Sequence, residues 1–185
     1  APTDSYWTRD YGPWYVFDGS NNPGIVNFPY NRPRPNDNDI PIYMADYLDI
    51  ELYGMNIYHT GGNYMTSGMG MSASTDLTLQ ENPSKTEDEI DSITHAYLGL
   101  DEYDFLEDPL GHSIQHIDCW GKYLSPSKVL IGQVPVTDDR YDDYEAVADF
   151  FANQTSSWGV PYEVVRVYSP GGPPATPYTN SIILN

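Results

Sequence analysis

Apolar residues recur along this chain with two different periods, and the switches between them mark its elements. Over 86–98 the order Thr86-Glu87-Asp88-Glu89 has the form of a capping box, and Ile90, Ile93 and Tyr97 follow at helical spacing ahead of Gly99. The pattern predicts a helix. A second helix is predicted over 139–153, where Tyr141, Tyr144, Val147, Ala148 and Phe151 share one face and Gly159 lies beyond the end. A shorter helical stretch is expected over 43–52. Around these lie β-rich runs at Trp14–Phe17, 25–28, 56–59, 75–79, 129–134, Glu163–Tyr168 and 181–184.

The order of elements repeats. A polar segment opens a strand, and a second strand, a helix and a closing strand follow. The two long helices begin about 53 residues apart, and 62–106 overlays on 116–168 element by element, although few residues match. The stretch 10–58 fits a third copy with a shorter helix, and a fourth copy begins near Asn180. Self-similarity of this period predicts an α/β fold built by radial repetition of small ββαβ units. Residues 1–185 are accordingly expected to form part of a single domain of about three repeats plus the start of a fourth, with the natural protein continuing beyond them. Asp10, then Asn63 and Ser67, then His116 and Asp118, then Asn180 each stand just before the first strand of a unit. Units arranged about an axis would bring these positions together.

Composition narrows the partners. Hydrophobic residues make up 39% of the 185, with 17 tyrosines and four tryptophans, which is a globular rather than a disordered composition. Eight basic residues face 27 acidic ones, a formal charge of −19. Such a surface repels phosphate backbones, which argues against nucleic acid, and attracts cationic substrates and divalent ions. No stretch reaches the length of a membrane span. The single cysteine, Cys119, excludes an internal disulfide framework and any multi-cysteine metal site. An acidic surface of this kind also fits a secreted protein.

Four segments carry chemistry: Trp7-Thr8-Arg9-Asp10-Tyr11-Gly12-Pro13-Trp14, His59-Thr60-Gly61-Gly62-Asn63, His116-Ile117-Asp118-Cys119-Trp120 and Tyr178-Thr179-Asn180-Ser181. In this order they resemble the agmatine deiminase and bacterial peptidylarginine deiminase family of guanidine-modifying enzymes. The match is closest to the bacterial peptidylarginine deiminases, where it extends through Phe28-Pro29-Tyr30-Asn31-Arg32-Pro33-Arg34-Pro35. The resemblance implies a five-bladed α/β propeller, the pentein fold, with a central site and no cofactor required for catalysis. It implies hydrolysis of arginine to citrulline and ammonia through a covalent thiouronium on a cysteine lying beyond Asn185.

A guanidinium is planar and permanently charged, so carboxylates aligned to its edges hold it best. By resemblance Asp10 and Asp118 are those carboxylates. By the same resemblance His116 would supply the proton for departing ammonia and later activate water. Trp7 would stack on the cation, and Ile114 and Asn180 would complete the substrate site. Read from the residues alone, Asp10 could instead pair with Arg9, and His116 and Trp7 could belong to a core. Arg32 and Arg34 are two of only five arginines. Near a cation site they would repel the substrate unless it also carried an anion, as the α-carboxylate of a carboxy-terminal arginine does. Pairing with Asp37 and Asp39 is their alternative. Ser67 stands where relatives commonly carry an aspartate, which is expected to alter substrate grip. Cys119 follows Asp118 directly, so on an extended strand it would face away, as a buried structural thiol.

Other readings stay open at this point. Agmatine is an alternative substrate. His112, His116 and Asp118 could ligate zinc. The runs Asn36-Asp37-Asn38-Asp39 and Asp138-Asp139 could make a non-catalytic, acidic cation-binding module or hold a structural cation. A guanidine substrate is an implied partner, and the remaining part of the same protein could join as a second chain.

Overall fold

Three times along the chain an antiparallel pair of strands leads through a helix to a third strand that returns parallel to the second. A computed structural model describes residues 1–111, 113–170 and 177–183. After a short helix α1 (Thr8–Tyr11), strands β1 (Trp14–Phe17), β2 (Pro23–Asn27) and β3 (Glu51–Gly54) form the first sheet, with helices α2 (Pro35–Asn38) and α3 (Ile40–Leu48) crossing between β2 and β3. Strands β4 (Met65–Thr66), β5 (Met71–Thr75) and β6 (Glu102–Leu106) form the second, with α4 (Leu77–Glu81) and α5 (Glu87–Leu98) in the crossover. Strands β7 (Gly121–Ser125), β8 (Lys128–Gln133) and β9 (Glu163–Tyr168) form the third, crossed by α6 (Tyr141–Asn153). The α/β class and the ββαβ repeat are therefore observed. Each sheet is an open, three-stranded one.

The chain divides into two compact units, one of Ala1–Gly61 with Thr78–Leu100, the other of Gly62–Leu77 with Asp101–Asn185. In the first, Ile25, Val26, Phe28, Met55 and Ile57 are buried, and the rings of Trp14, Phe28 and His59 meet at centroid distances of 4.4–5.9 Å. In the second, Trp120, Val129, Ile131 and Phe151 head a continuous apolar cluster. Gly132 belongs to it for a steric reason: a Cβ there would stand 2.8 Å from the Tyr144 ring that α6 lays on β8. Among the described residues no helix is long and apolar enough to cross a membrane.

Local chemistry explains where the pattern held and where it failed. Thr86 caps α5 as a full capping box, its hydroxyl receiving Glu89 N–H while the Glu89 carboxylate receives Thr86 N–H. The helix expected over 43–52 instead starts at Ile40 and stops at Leu48. Asp49 takes a left-handed conformation (φ 54°), and its N–H turns back to Ala45 and Asp46 carbonyls, after which β3 begins. Aspartate tolerates that conformation better than most residues. The run 75–79 is only the end of β5 followed by α4. Its alternation of Thr75, Leu77 and Leu79 imitates a strand, an ambiguity inherent in short apolar runs. The run 56–59 contributes a single bridge, His59 to Tyr30. Strands β3, β4, β6 and β7 fall outside the predicted runs. Residues 181–183 form no strand, and Leu184 lies outside the described residues.

Candidate active site

In the first unit the chemistry gathers around one phenol. Tyr30 is buried, with its backbone N–H on Asn38 Oδ1 at 2.9 Å. Its hydroxyl receives Arg34 Nη1 at 3.1 Å. Burial raises the Tyr30 pKa, the neighbouring Asp10 carboxylate raises it further, and Arg34 and Arg32 act in the opposite sense. Asp10, Arg32 and Arg34 thus share one electrostatic neighbourhood. Asp10 is brought there by α1, which sits against the Gly61 backbone. A Cβ on Gly61 would collide with the Arg9 carbonyl, so only glycine allows this approach. Trp7 is 47% exposed, its ring 4.5 Å from that of Tyr6.

The arginine loop is anchored through Asn31. Asn31 N–H donates to His59 O at 3.1 Å, and Asn31 Nδ2 reaches both carboxylate oxygens of Glu81 at 3.0 and 2.9 Å. Arg32 Nη1 donates to Asn31 O at 3.3 Å and lies 3.9 Å from Glu81 Oε1. Neither arginine hydrogen-bonds Asp37 or Asp39. Asp37 is buried and receives Asp4 N–H, Ser5 N–H and Ser5 Oγ at 2.7, 3.1 and 2.6 Å. It ties the amino-terminal arm down, while Asp138 receives the Arg140 fork at 2.8 Å twice. Both acidic runs proposed for cations thus have protein donors. His112 lies outside the described residues, and among those described no group of three His, Cys, Asp or Glu side chains is placed to hold a metal.

In the second unit a clamp fixes the turn that bears His116 and Asp118. Asn63, at the end of the Gly61-Gly62-Asn63 motif, is buried, and its Oδ1 receives Thr75 N–H at 2.9 Å and Ile117 N–H at 3.3 Å. Thr75 Oγ1 donates to Gln115 O at 2.7 Å. Gln115 itself is left-handed (φ 47°), a conformation costly for a side chain of its size. His116 therefore sits between a residue held from β5 and one held by Asn63. His116 and Asp118 are both buried, at 5% and 8% exposure. Thr179 Oγ1 donates to Asp118 O at 2.8 Å and so places exposed Asn180 beside that turn, while Ile114 is 40% exposed.

One expectation about this turn changes. Residues Ile117–Cys119 form one turn of 3-10 helix, not a strand, so the alternation argument for Cys119 does not apply. The thiol is nevertheless half-buried against the apolar cluster of the unit. Ser67 is occupied with its own hairpin, its Oγ receiving Met69 and Met71 N–H at 3.2 and 3.3 Å. A carboxylate oxygen could cap that turn equally well. Tyr30, Glu81, Thr75 and Thr179 were not legible as site residues. Asn63 was, through its motif, though as a chemical group rather than a clamp.

Solved structures share this fold. The agmatine deiminase of Enterococcus faecalis matches with a TM-score of 0.79 at 18% identity, over 91% of this chain and 51% of that one. The C. jejuni agmatine deiminase matches at 0.72 and 18%, over 91% and 50%. In sequence, the agmatine deiminase of Ectopseudomonas mendocina is 27% identical over 161 residues, 76% of this chain and 42% of that protein. The chain spans about half the length of the curated relatives it matches (54% and 51% for two of them). These likenesses define the class, an α/β protein with the fold of the guanidine deiminases. The family model of the Porphyromonas-type peptidyl-arginine deiminases matches residues 1–185, and the chain belongs to that family.

Proposed function

We propose that this chain supplies the substrate-gripping and proton-handling groups of an enzyme that hydrolyses the guanidinium of carboxy-terminal arginine in peptides. In this reading Asp10 and Asp118 pair with the guanidinium. His116 protonates the leaving ammonia and then draws a proton from water, and Trp7, Ile114 and Asn180 flank the side chain. A cysteine thiolate attacks the guanidinium carbon, ammonia leaves with the proton from His116, and water releases citrulline and regenerates the thiolate. The repeated units belong to a pentein propeller, and the reaction needs no metal.

The observation that carries the substrate reading is the grouping of Arg32 and Arg34 with Asp10 around Tyr30. An anion site beside a cation site fits a ligand carrying both charges. The relatives named agmatine deiminase favour a second reading, in which the substrate is an amine without a carboxylate. Rates of the full-length protein on peptides ending in free arginine, on their amides and on agmatine separate the two. A preference for the free carboxylate, lost in the double variant Arg32→Ala/Arg34→Ala, is the expected result. Equal rates on acid and amide, or faster turnover of agmatine, would favour the amine.

A further inference from the structure

Arg32 and Arg34 are not equivalent. Arg34 donates to hydroxyls, Tyr30 Oη at 3.1 Å and Ser5 Oγ at 3.5 Å. Arg32 instead has a carboxylate at ion-pair distance, Glu81 Oε1 at 3.9 Å, with no hydrogen bond between them, since its Nη1 donates to Asn31 O. Both Glu81 oxygens are engaged by the single amide nitrogen Asn31 Nδ2. Glu81 ends helix α4, 50 residues from Asn31 in sequence, and its side chain is 23% exposed while that of Arg32 is 31% exposed.

Resting on the substrate reading above, we infer that Glu81 is a positioning residue that sets how strongly Arg32 discriminates for a free carboxylate. Through Asn31 it anchors the arginine loop, and through its charge it partly neutralises Arg32 in the unliganded protein. An arriving carboxylate must therefore compete with a resident one. The contact is long and carries no hydrogen bond, so it can be outcompeted without breaking the anchor that Glu81 gives the loop through Asn31. Burial raises the Glu81 pKa, opposed by the Asn31 amide and by Arg32, its one charged neighbour in that balance.

Glu81→Gln tests the inference, because an amide oxygen still accepts from Asn31 while the charge is gone. In full-length protein the ratio of kcat/KM on a peptide ending in free arginine to that on its amide should rise about fivefold. That factor corresponds to about 1 kcal/mol, the Coulomb energy of unit charges 4 Å apart in water. The change should lie in KM for the free-acid peptide with kcat held, whereas a purely structural role would lower kcat on both substrates. A thermal melt reports that the variant is folded. A ratio that stays at the wild-type value or falls overturns the role of Glu81 while leaving the substrate reading intact. Wild-type protein indifferent to the carboxylate overturns both.

Discussion

Asn63→Ala removes the amide oxygen that joins β5 to the turn bearing His116. Three donors stand near that oxygen, but they do not all depend on it. Thr75 Oγ1 lies 2.9 Å from Asn63 Oδ1 and 2.7 Å from Gln115 O, and its one proton goes to the shorter contact. Two backbone donors remain, Thr75 N–H at 2.9 Å and Ile117 N–H at 3.3 Å, on residues with 0% exposure. Leaving a buried donor unmatched costs roughly 1–3 kcal/mol. Placing the longer bond at the low end gives a loss of about 3 kcal/mol, a large part of the roughly 5–15 kcal/mol that holds a domain together. Urea unfolding of the full-length protein measures it, with the slope expected to stay constant while the midpoint falls. Combined with Thr75→Val, the two losses should be non-additive by at least about 0.5 kcal/mol, because both variants act on one network. A loss below about 1 kcal/mol, or strict additivity, would refute the clamp.

Asp10→Asn and Asp118→Asn should each lower kcat/KM on guanidine substrates by roughly 1.5–3 kcal/mol, the range for hydrogen bonds to charged groups; citrulline release at the wild-type rate would remove that residue from the site. Cys119→Ser in the full-length protein should keep turnover within a few-fold, since the thiol packs on the core, and abolished turnover would make it the nucleophile. The Tyr144 hydroxyl is pushed up from 10.0 to about 12, first by burial. The unfolded phenol therefore ionises before the folded one. Stability is full below pH 10 and falls as the pH rises towards 12, by up to a few kcal/mol. Tyr144→Phe should flatten that part of the alkaline limb in urea titrations, and an unchanged limb would count against it.

Helix α5 was readable because its start is written in four consecutive residues, and α6 because five apolar positions share a face. Strand β7 was not, since Gly121-Lys122-Tyr123-Leu124-Ser125 is short and has glycine and lysine where strands favour branched residues. The charged motif residues were readable for a similar reason: Asp10, His116 and Asp118 sit in local patterns of unusual residue types. Their supports were not. Thr75 meets Gln115 across 40 positions, Asn31 meets Glu81 across 50, and Thr179 meets Asp118 across 61. Threonine, asparagine and glutamate are common everywhere, and only the fold tells which copies clamp a site.

The arginines themselves show how such a site is told from ordinary surface charge. With 27 acidic residues to eight basic ones, any arginine here has carboxylates in excess around it. Arg140 and Arg166 behave accordingly, donating to Asp138 and Glu145 at 2.8 and 2.7 Å. Bonds of that kind are about twice as strong as bonds to neutral acceptors. Arg34 forgoes them for two hydroxyls, and Arg32 for a backbone carbonyl, with Glu81 kept at 3.9 Å. A side chain selected for folding alone would have taken the stronger bond, given how many carboxylates the chain offers. In the substrate reading proposed above, these two departures beside Asp10 leave guanidinium charge available to an anion that arrives with the substrate.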